Sequence, residues 1–382
     1  MKAAVFFIDA LGPDLITSDS MPFTYNLMKK NIPYTMNSVL GYSGGIHPSL
    51  WTSTYPDEHS QWATVVRARK QEKMSIKDKL LGMLPEALSR PINYLLHYSS
   101  ISRSKILPSI PPKQAKYFGK SDYDYYHAVK DVNGVRTIFS YVPTMYRFYN
   151  KINQIKPILN QSSELDVYFT GELDHLCHLR LANLKKMRKM LRKIDSKMEE
   201  LYSFYKMNFP ECHFIAFSDH GQAVVRRRID IKGYIGRLGL KFEDYIAAYD
   251  STMVRFWVFN EKARELITRA LSKIEEGAIL DKKARQKYGI DFKDNRFGDI
   301  FFLLNEGCEV YPNFYHNYLK NNVQGMHGYL PESRSMKAFF LYSGPAKLEK
   351  AKEISILDVA PTILKLLKKK IPDYIRGKPL CK

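Results

Sequence analysis

Long apolar stretches and paired cysteines are both missing from this sequence. No run reaches the roughly 18 apolar residues that a transmembrane helix needs, and the N-terminal run Ala3 to Ile8 is too short for a signal-peptide core. The 4 cysteines lie far apart and form no Cys-x-x-Cys pair, which argues against a disulfide framework or a cysteine-bound zinc cluster. We therefore expect no membrane-spanning helix, reduced thiols and a cytoplasmic location.

Acidic residues are few in comparison with basic ones. The chain has 39 acidic and 59 basic residues, which gives a formal net charge of +20. This excess favours anionic partners, namely phosphate compounds, nucleic acid or an acidic membrane surface, but it does not choose among them. A basic surface without a specific partner is the alternative interpretation.

What is present is a series of short apolar runs typical of buried strands. Ala3 to Ile8, Val135 to Val142, Leu165 to Thr170, His213 to Ser218 and Met336 to Tyr342 predict strands buried on both faces. Helical periodicity separates them, including one long amphipathic pattern that starts at about residue 179. This alternation predicts an α/β fold, a mostly parallel sheet with helices on both faces.

Two segments interrupt the regular pattern. Residues 63–130 are basic, with scattered prolines and tyrosines, and residues 225–324 are irregular. We interpret both as insertions, and the second one as a cap. Residues 1–62, 131–222 and 325–382 would then form the catalytic core.

Acids and histidines follow several of the predicted strands, at the edge where ligands bind in such sheets. Singly, each has an ordinary structural explanation, such as a turn, a helix cap or a surface hydrogen bond. Together, three aspartates and three histidines provide enough nitrogen and oxygen ligands for two ions, with zinc first and manganese as the alternative. Two ions about 4 Å apart suit phosphoryl transfer, and a serine between them becomes a strong nucleophile. The candidates are Asp9, Ser43, Asp174, His178, Asp219, His220 and His327.

The order of these motifs resembles that of the alkaline phosphatase superfamily, closest to its type I phosphodiesterase/nucleotide pyrophosphatase branch. The matching segments are Phe7-Ile-Asp-Ala-Leu-Gly-Pro-Asp14, Tyr42-Ser43, Thr52-Ser-Thr-Tyr-Pro-Asp-Glu-His59, Asp174-x-x-x-His178, Phe217-Ser-Asp-His-Gly221, Gly325-x-His-Gly-Tyr329, Ser343-Gly-Pro345, Ile356-Leu-Asp-Val-Ala-Pro361 and Arg376-Gly-Lys-Pro-Leu380. The nine-residue step from Ser43 to Thr52 singles out Ser43 among the neighbouring serines.

The resemblance implies a role for each candidate. One ion would be held by Asp174, His178 and His327. The other would be held by Asp9, Asp219 and His220, with Ser43 reaching toward it. Ser43 would attack phosphorus and form a phospho-enzyme intermediate.

The chain also departs from the family pattern. Ala10 replaces the glycine that follows the first aspartate, and Ile46 stands where the branch has an asparagine that holds a phosphate oxygen. Substrate contacts are therefore expected from the backbone of Gly44 and from His47. Cys-x-Pro-x-Arg is absent around Ser43, which argues against a sulfatase.

The favoured function is hydrolysis of a phosphodiester or pyrophosphate bond in a small phosphorylated or nucleotide-linked substrate. A phosphomonoesterase, a phosphonate hydrolase or a phosphotransferase on the same site is the enzymatic alternative. A non-catalytic basic binding protein is the alternative of another class. We expect no stable nucleic-acid partner, and a weak contact with anionic membranes stays an open alternative.

Overall fold

The computed structural model of the chain describes residues 1–31, 33–68, 76–84, 88, 92, 110, 112–121, 123–124, 126–315, 323–349, 351 and 353–381. The chain divides into two compact units. The first unit is formed by Met1–Gln61, Tyr123–Val224 and Gln324–Lys382, and the second unit by Trp62–Asp122 and Val225–Val323. The interpretation of residues 63–130 and 225–324 as insertions, one of them a cap, stays a prediction.

The strands are numbered in chain order. They are β1 (Ala3–Ile8), β2 (Pro33–Asn37), β3 (Val65–Arg67), β4 (Phe118–Lys120), β5 (Asp131–Val132), β6 (Val135–Arg136), β7 (Thr144–Tyr149), β8 (Leu165–Thr170), β9 (His213–Phe217), β10 (Ala223–Val224), β11 (Arg227–Ile229), β12 (Tyr245–Tyr249), β13 (Met253–Val258), β14 (Gly277–Ile279), β15 (Ile300–Leu304), β16 (Cys308–Val310), β17 (Gly325–Met326), β18 (Ala338–Ser343) and β19 (Glu353–Ser355).

The α-helices are numbered in the same way. They are α1 (Pro22–Lys30), α2 (Ser43–Thr52), α3 (Pro56–His59), α4 (Ile76–Met83), α5 (Glu172–Arg180), α6 (Leu184–Asn208), α7 (Ile231–Gly236), α8 (Glu261–Leu271), α9 (Lys282–Lys287) and α10 (Val359–Leu366). In the described part of the chain, none of the helices combines the length and the hydropathy that crossing a bilayer requires.

The first unit is built on a seven-stranded sheet of order β19-β2-β18-β9-β1-β8-β7. Only β18 runs antiparallel to its neighbours, so the remaining strands of this sheet share one direction. The predicted α/β fold with a mostly parallel sheet is therefore confirmed. Because β9, β1 and β8 lie side by side and parallel, their carboxyl ends meet at one edge.

The central strand β1 shows how the two apolar layers form. Its side chains alternate between the faces of the sheet, as the pleat of any strand requires. Val5 and Phe7 pack in a core with residues of α2 and α10, such as Trp51. Phe6 and Ile8 pack in a second core with residues of α1 and α6. Helices therefore cover both faces of the sheet, and β1 reads as one continuous apolar run.

The second unit has its own antiparallel sheet, of order β12-β13-β15-β14. Its core includes Phe256, Trp257 and Phe302, all fully buried. The buried Arg255 donates from Nε to Asp250 Oδ2 over 2.6 Å, so that this charge is paired inside the unit.

Two elements differ from the sequence-based expectation. The long helix begins at Leu184 rather than near residue 179, because the side chain of Asn183 caps it by accepting a hydrogen bond from the Lys186 amide over 3.0 Å. The strand predicted at Val135 to Val142 is wrong. This segment forms only the two-residue β6 and a 3-10 turn at Ile138–Ser140, and the longer strand is β7.

One buried histidine next to α2 provides a test of the fold. His59 Nδ1 accepts the Gln61 amide over 3.2 Å, so Nε2 carries the proton and donates to Ser49 Oγ over 2.9 Å. Burial lowers the pKa of His59 to about 3. In the neutral form of His59 both ring nitrogens therefore take part in hydrogen bonds, and the side chain is fully buried.

Acid should therefore destabilise the protein partly through His59. Its folded pKa lies below the unfolded value of about 6.5, so only the unfolded chain takes up this proton between these two values. Between pH 7 and pH 5, the unfolding free energy of the wild type should fall by about 2 kcal/mol more than that of His59→Gln, because the variant has no imidazole to protonate. Urea unfolding of metal-free protein at both pH values measures this loss. An equal loss in the wild type and the variant would contradict the lowered pKa.

Candidate active site

Asp9 lies directly after β1, at the carboxyl edge of the sheet. Its backbone N–H donates to the carbonyl of Thr170 over 3.1 Å, so the pairing of β1 with β8 extends to this residue. Ala10 follows with φ of 65°, in the left-handed region where glycine is favoured. This turn directs the Ala10 N–H to Asp219 Oδ1 over 3.3 Å. The ends of β1 and β9 are thus connected through a carboxylate.

The residues Asp219–His220 follow β9 in a tightly constrained turn. Ser218 Oγ donates to the carbonyl of Leu11 over 2.7 Å. A β-carbon at Gly221 would collide with the carbonyl of Ser335, so only glycine fits there. The backbone on either side of the acid–imidazole pair is therefore closely packed, and the pair is buried.

Asp174 and His178 lie one turn apart on α5, which starts shortly after β8. The spacing of four residues puts both side chains on the same helical face. His178 Nδ1 donates to the carbonyl of Gly325 over 2.9 Å, and its Nε2 lies 3.3 Å from Asp174 Oδ1. A backbone acceptor on one nitrogen leaves the other available as a metal ligand.

His327 comes to the same place from the segment before β18. The antiparallel pairing of β10 with β17 holds the neighbouring Met326 opposite Ala223. The ring of His327 stacks on His220 with 3.9 Å between the centroids, and its Nε2 lies 3.9 Å from Asp174 Oδ1. A segment far along the chain thus completes the cluster.

The predicted ligands lie together around one edge. His220 Nε2 lies 3.4 Å from Asp9 Oδ1 and 3.3 Å from Asp219 Oδ2. Two groups have ligand atoms within 4.8 Å of one another, and these are Asp174, His220 and His327, and Asp9, His47 and Asp219. His178 lies outside both groups but contacts Asp174, so the division of ligands between two ions stays a prediction.

Ser43 is the first residue of α2. His47 lies one turn later on the same face, and its Nε2 is 3.1 Å from Asp219 Oδ2. This contact places the start of α2 beside the carboxylates. By helix geometry, the amides of Ser43 and Gly44 have no partner within the helix, which is the usual arrangement for an anion site.

Gly44 and His47, the two residues expected to contact substrate, lie in different surroundings. Apart from the two chain neighbours of Gly44 and the backbone of its own helix, no described atom lies within 4 Å of the position that a β-carbon on Gly44 would take, so there is open space on this side of Gly44. His47 is fully buried against Asp219 rather than facing this space. Ile46 is 2% exposed and packs in the apolar core, so its side chain cannot take over a phosphate contact.

The pKa values of the acids are shifted in opposite directions. Burial and the negative charges of Asp219 and Asp174 raise the pKa of Asp9 well above its ordinary value. Burial would also raise the pKa of Asp219, but His220 and His47 outweigh it and lower the value to about 2. For Asp174, the imidazoles led by His178 likewise outweigh burial and lower the pKa. Gathering these carboxylates without added positive charge therefore costs free energy.

The cluster fits a divalent cation. Asp9 Oδ1, His220 Nε2 and His327 Nδ1 are buried and make no hydrogen bond with any described residue. Burial, and then the nearby His220, lowers the pKa of His327 well below its ordinary value, so the ring is neutral, as a metal ligand must be. Imidazole nitrogen and carboxylate oxygen suit zinc, and carboxylates also suit manganese.

The sequence did not indicate two side chains that lie beside the cluster. Gln222 Nε2 donates to Asp174 Oδ1 over 2.5 Å, although its position next to Asp-His-Gly is only a weak signal. On β7, Phe148 lies close to Gly171, as Asp9 does. A β-carbon on Gly171 would lie 3.7 Å from Asp9 Oδ2 and 4.0 Å from Phe148 Cε2. Phe148 was missed because β7 itself was not predicted.

The fold and the site can now be compared with known proteins. No curated protein sequence matches the chain. Murine ectonucleotide pyrophosphatase/phosphodiesterase 5 is 18% identical, with a TM-score of 0.66 over 97% of this chain and 96% of that one. The human protein of the same name is 17% identical, with a TM-score of 0.65 over the same shares. An inactive variant of the murine protein, in complex with AMP, is 17% identical, with a TM-score of 0.66 over these shares.

A family model extends this likeness from the fold to the sequence. Residues 97–330 match the model of the type I phosphodiesterase/nucleotide pyrophosphatase family, which is more than half of the chain. The matched range includes Asp174, His178, Asp219, His220 and His327, while Asp9 and Ser43 precede it. The chain belongs to the type I phosphodiesterase/nucleotide pyrophosphatase family, and it is a phosphoric ester hydrolase with the fold of the alkaline phosphatase superfamily.

Proposed function

We propose that the protein cleaves a phosphodiester or pyrophosphate bond with the help of two divalent metal ions and through a phospho-Ser43 intermediate. The observation that carries this proposal is the convergence of three aspartates and three histidines on the sheet edge beside the start of α2. Buried ligand atoms without hydrogen bonds support a cation there. Zinc is the first choice and manganese the alternative.

Asp174, His178 and His327 would hold one ion, and Asp9, Asp219 and His220 would hold the other, with Ser43 next to it. When bound, the ions supply positive charge that lowers the pKa of the Ser43 hydroxyl and stabilises charge on the transferred group.

Ser43 Oγ forms the bond to phosphorus while the bond from phosphorus to the leaving oxygen breaks. The amides of Ser43 and Gly44 bind a phosphate oxygen at the start of α2. Water then attacks the same phosphorus, and its oxygen bonds to phosphorus while the bond to Ser43 Oγ breaks. One proton of the water restores the Ser43 hydroxyl, and a diester substrate leaves as a phosphate monoester.

A small nucleotide-linked compound is the proposed substrate class. The AMP complex of the murine relative supports it, since that protein has a similar fold. Phe148 and Asp9 both lie close to Gly171, and Tyr126 packs edge-on against the Phe148 ring with 4.7 Å between the centroids. These aromatic rings also support a flat, partly apolar group in the substrate. A cytoplasmic location stays a proposal, supported by four cysteines that are free and buried.

Replacement of the nucleophile gives the direct test. Ser43→Ala should lower kcat on bis-p-nitrophenyl phosphate by about a thousandfold or more, because the phospho-enzyme can no longer form. Ser18→Ala, at an exposed serine, is the control and should keep wild-type turnover. Mass spectrometry of acid-quenched wild type should detect one added p-nitrophenyl phosphoryl group, because only one of the two ester bonds is broken when the intermediate forms. Equal turnover by Ser43→Ala and wild type would refute the nucleophile.

The choice between ester classes is a separate experiment. Phosphodiesters, phosphomonoesters and phosphonates are compared side by side with the same enzyme preparation. We expect the highest kcat/KM for the diester or pyrophosphate compounds. A strong preference for monoesters would favour the phosphomonoesterase alternative.

A measurement of bound metal distinguishes the two enzymatic interpretations from a non-catalytic binding protein. After reconstitution with zinc or manganese and desalting, we expect close to two equivalents in the wild type, as determined by elemental analysis. His327→Ala should lose metal because it removes one ligand. His127→Ala, at an exposed histidine, should retain the wild-type content. No bound metal in the reconstituted wild type would contradict the proposal.

A further inference from the structure

Gln222 lies behind the carboxylate of Asp174, on the short segment between Asp219–His220 and β10. Its Nε2 lies 2.5 Å from Asp174 Oδ1 and 3.4 Å from the carbonyl oxygen of the same residue. Both are oxygen acceptors, so the amide nitrogen must face Asp174, because the amide oxygen there would be repelled. The hydrogen-bond direction is therefore set by the chemistry of the contact.

The other end of this amide makes no matching bond. Gln222 Oε1 is buried and has no hydrogen-bond partner among the described residues. Burial of an unsatisfied acceptor costs free energy of folding, and a methionine of similar length would avoid this cost. Among the described residues, the contact of Gln222 Nε2 with Asp174 is the hydrogen bond of this side chain that offsets the cost.

Gly325 holds the amide in place and connects it with a second candidate ligand. A β-carbon at Gly325 would lie 2.6 Å from Gln222 Oε1 and 2.6 Å from the carbonyl of Cys177, so the segment fits closely over the amide. The carbonyl of the same glycine accepts the hydrogen bond from His178 Nδ1 over 2.9 Å. One backbone segment therefore restrains both Gln222 and His178.

We propose that Gln222 is a positioning residue for the metal site that includes Asp174. Its N–H occupies one lone pair of Asp174 Oδ1 and orients the carboxylate, so that the remaining lone pairs face His178 and His327. Carboxylate ligands are commonly oriented by such a hydrogen bond from a neighbouring residue, and its loss typically weakens metal affinity by about 10- to 100-fold. This inference rests on the proposed function, because it requires that Asp174 binds a metal ion.

The test compares Gln222→Met with Gln324→Met. Methionine keeps the length of the side chain but removes both amide hydrogens. Gln324 lies in the neighbouring segment, and its Oε1 accepts the Ala182 amide over 3.3 Å. Its backbone N–H donates to the carbonyl of His178 over 2.7 Å, and the substitution keeps this bond. Zinc affinity is measured by competition with a chromophoric chelator, and cobalt(II) absorption reports the coordination geometry. Circular dichroism and urea unfolding of the metal-free proteins show whether each variant is folded.

We expect Gln222→Met to weaken one of two zinc equivalents by about 10- to 100-fold and to change the cobalt spectrum of that site. The second equivalent and both sites of folded Gln324→Met should stay within about twofold of wild type. Wild-type affinity and spectrum in folded Gln222→Met would overturn the positioning role while leaving the metal site intact. Equal weakening in both variants would also overturn it, because general packing would then explain the loss. A wild type that binds no metal would instead refute the proposed function.

Discussion

The structure depends on the repulsion among buried carboxylates at one edge of a sheet and on how it is offset. Asp9, Asp174 and Asp219 are close enough for their charges to raise the pKa of Asp9, while neighbouring imidazoles lower the pKa values of the other two. Such a cluster is costly in a protein interior unless positive charge is added. A divalent cation held by these residues would offset this cost, and it would also suit phosphoryl transfer.

The surrounding backbone is shaped to hold this cluster. Gly221 and Gly325 lie so close to neighbouring atoms that no larger residue fits, and Ala10 accepts a left-handed conformation to direct its amide to Asp219. These constraints concern positions beside the ligands rather than the ligands themselves. Gln222 belongs to the same group of supporting residues, because it contacts a ligand without being one.

Family membership and site geometry answer different questions about this protein. The match over residues 97–330 identifies a phosphoric ester hydrolase, but it contains neither Asp9 nor Ser43. The parallel pairing of β1 with β9 brings Asp9 close to Asp219, and His47, one turn after Ser43 on α2, contacts Asp219.

The sequence by itself determined the α/β fold, because buried parallel strands appear as continuous apolar runs. Once the strands were located, it also determined which aspartates and histidines follow them. Short-range signals were less dependable. The region Val135 to Val142 is equally apolar but forms mainly a turn, and Ser43 starts a helix although glycines surround it. Only the tertiary structure decided which side chain contacts which acid, as for His47 on Asp219 and Gln222 on Asp174. Such contacts join residues far apart in the chain, and no local pattern of residues encodes the distance between them.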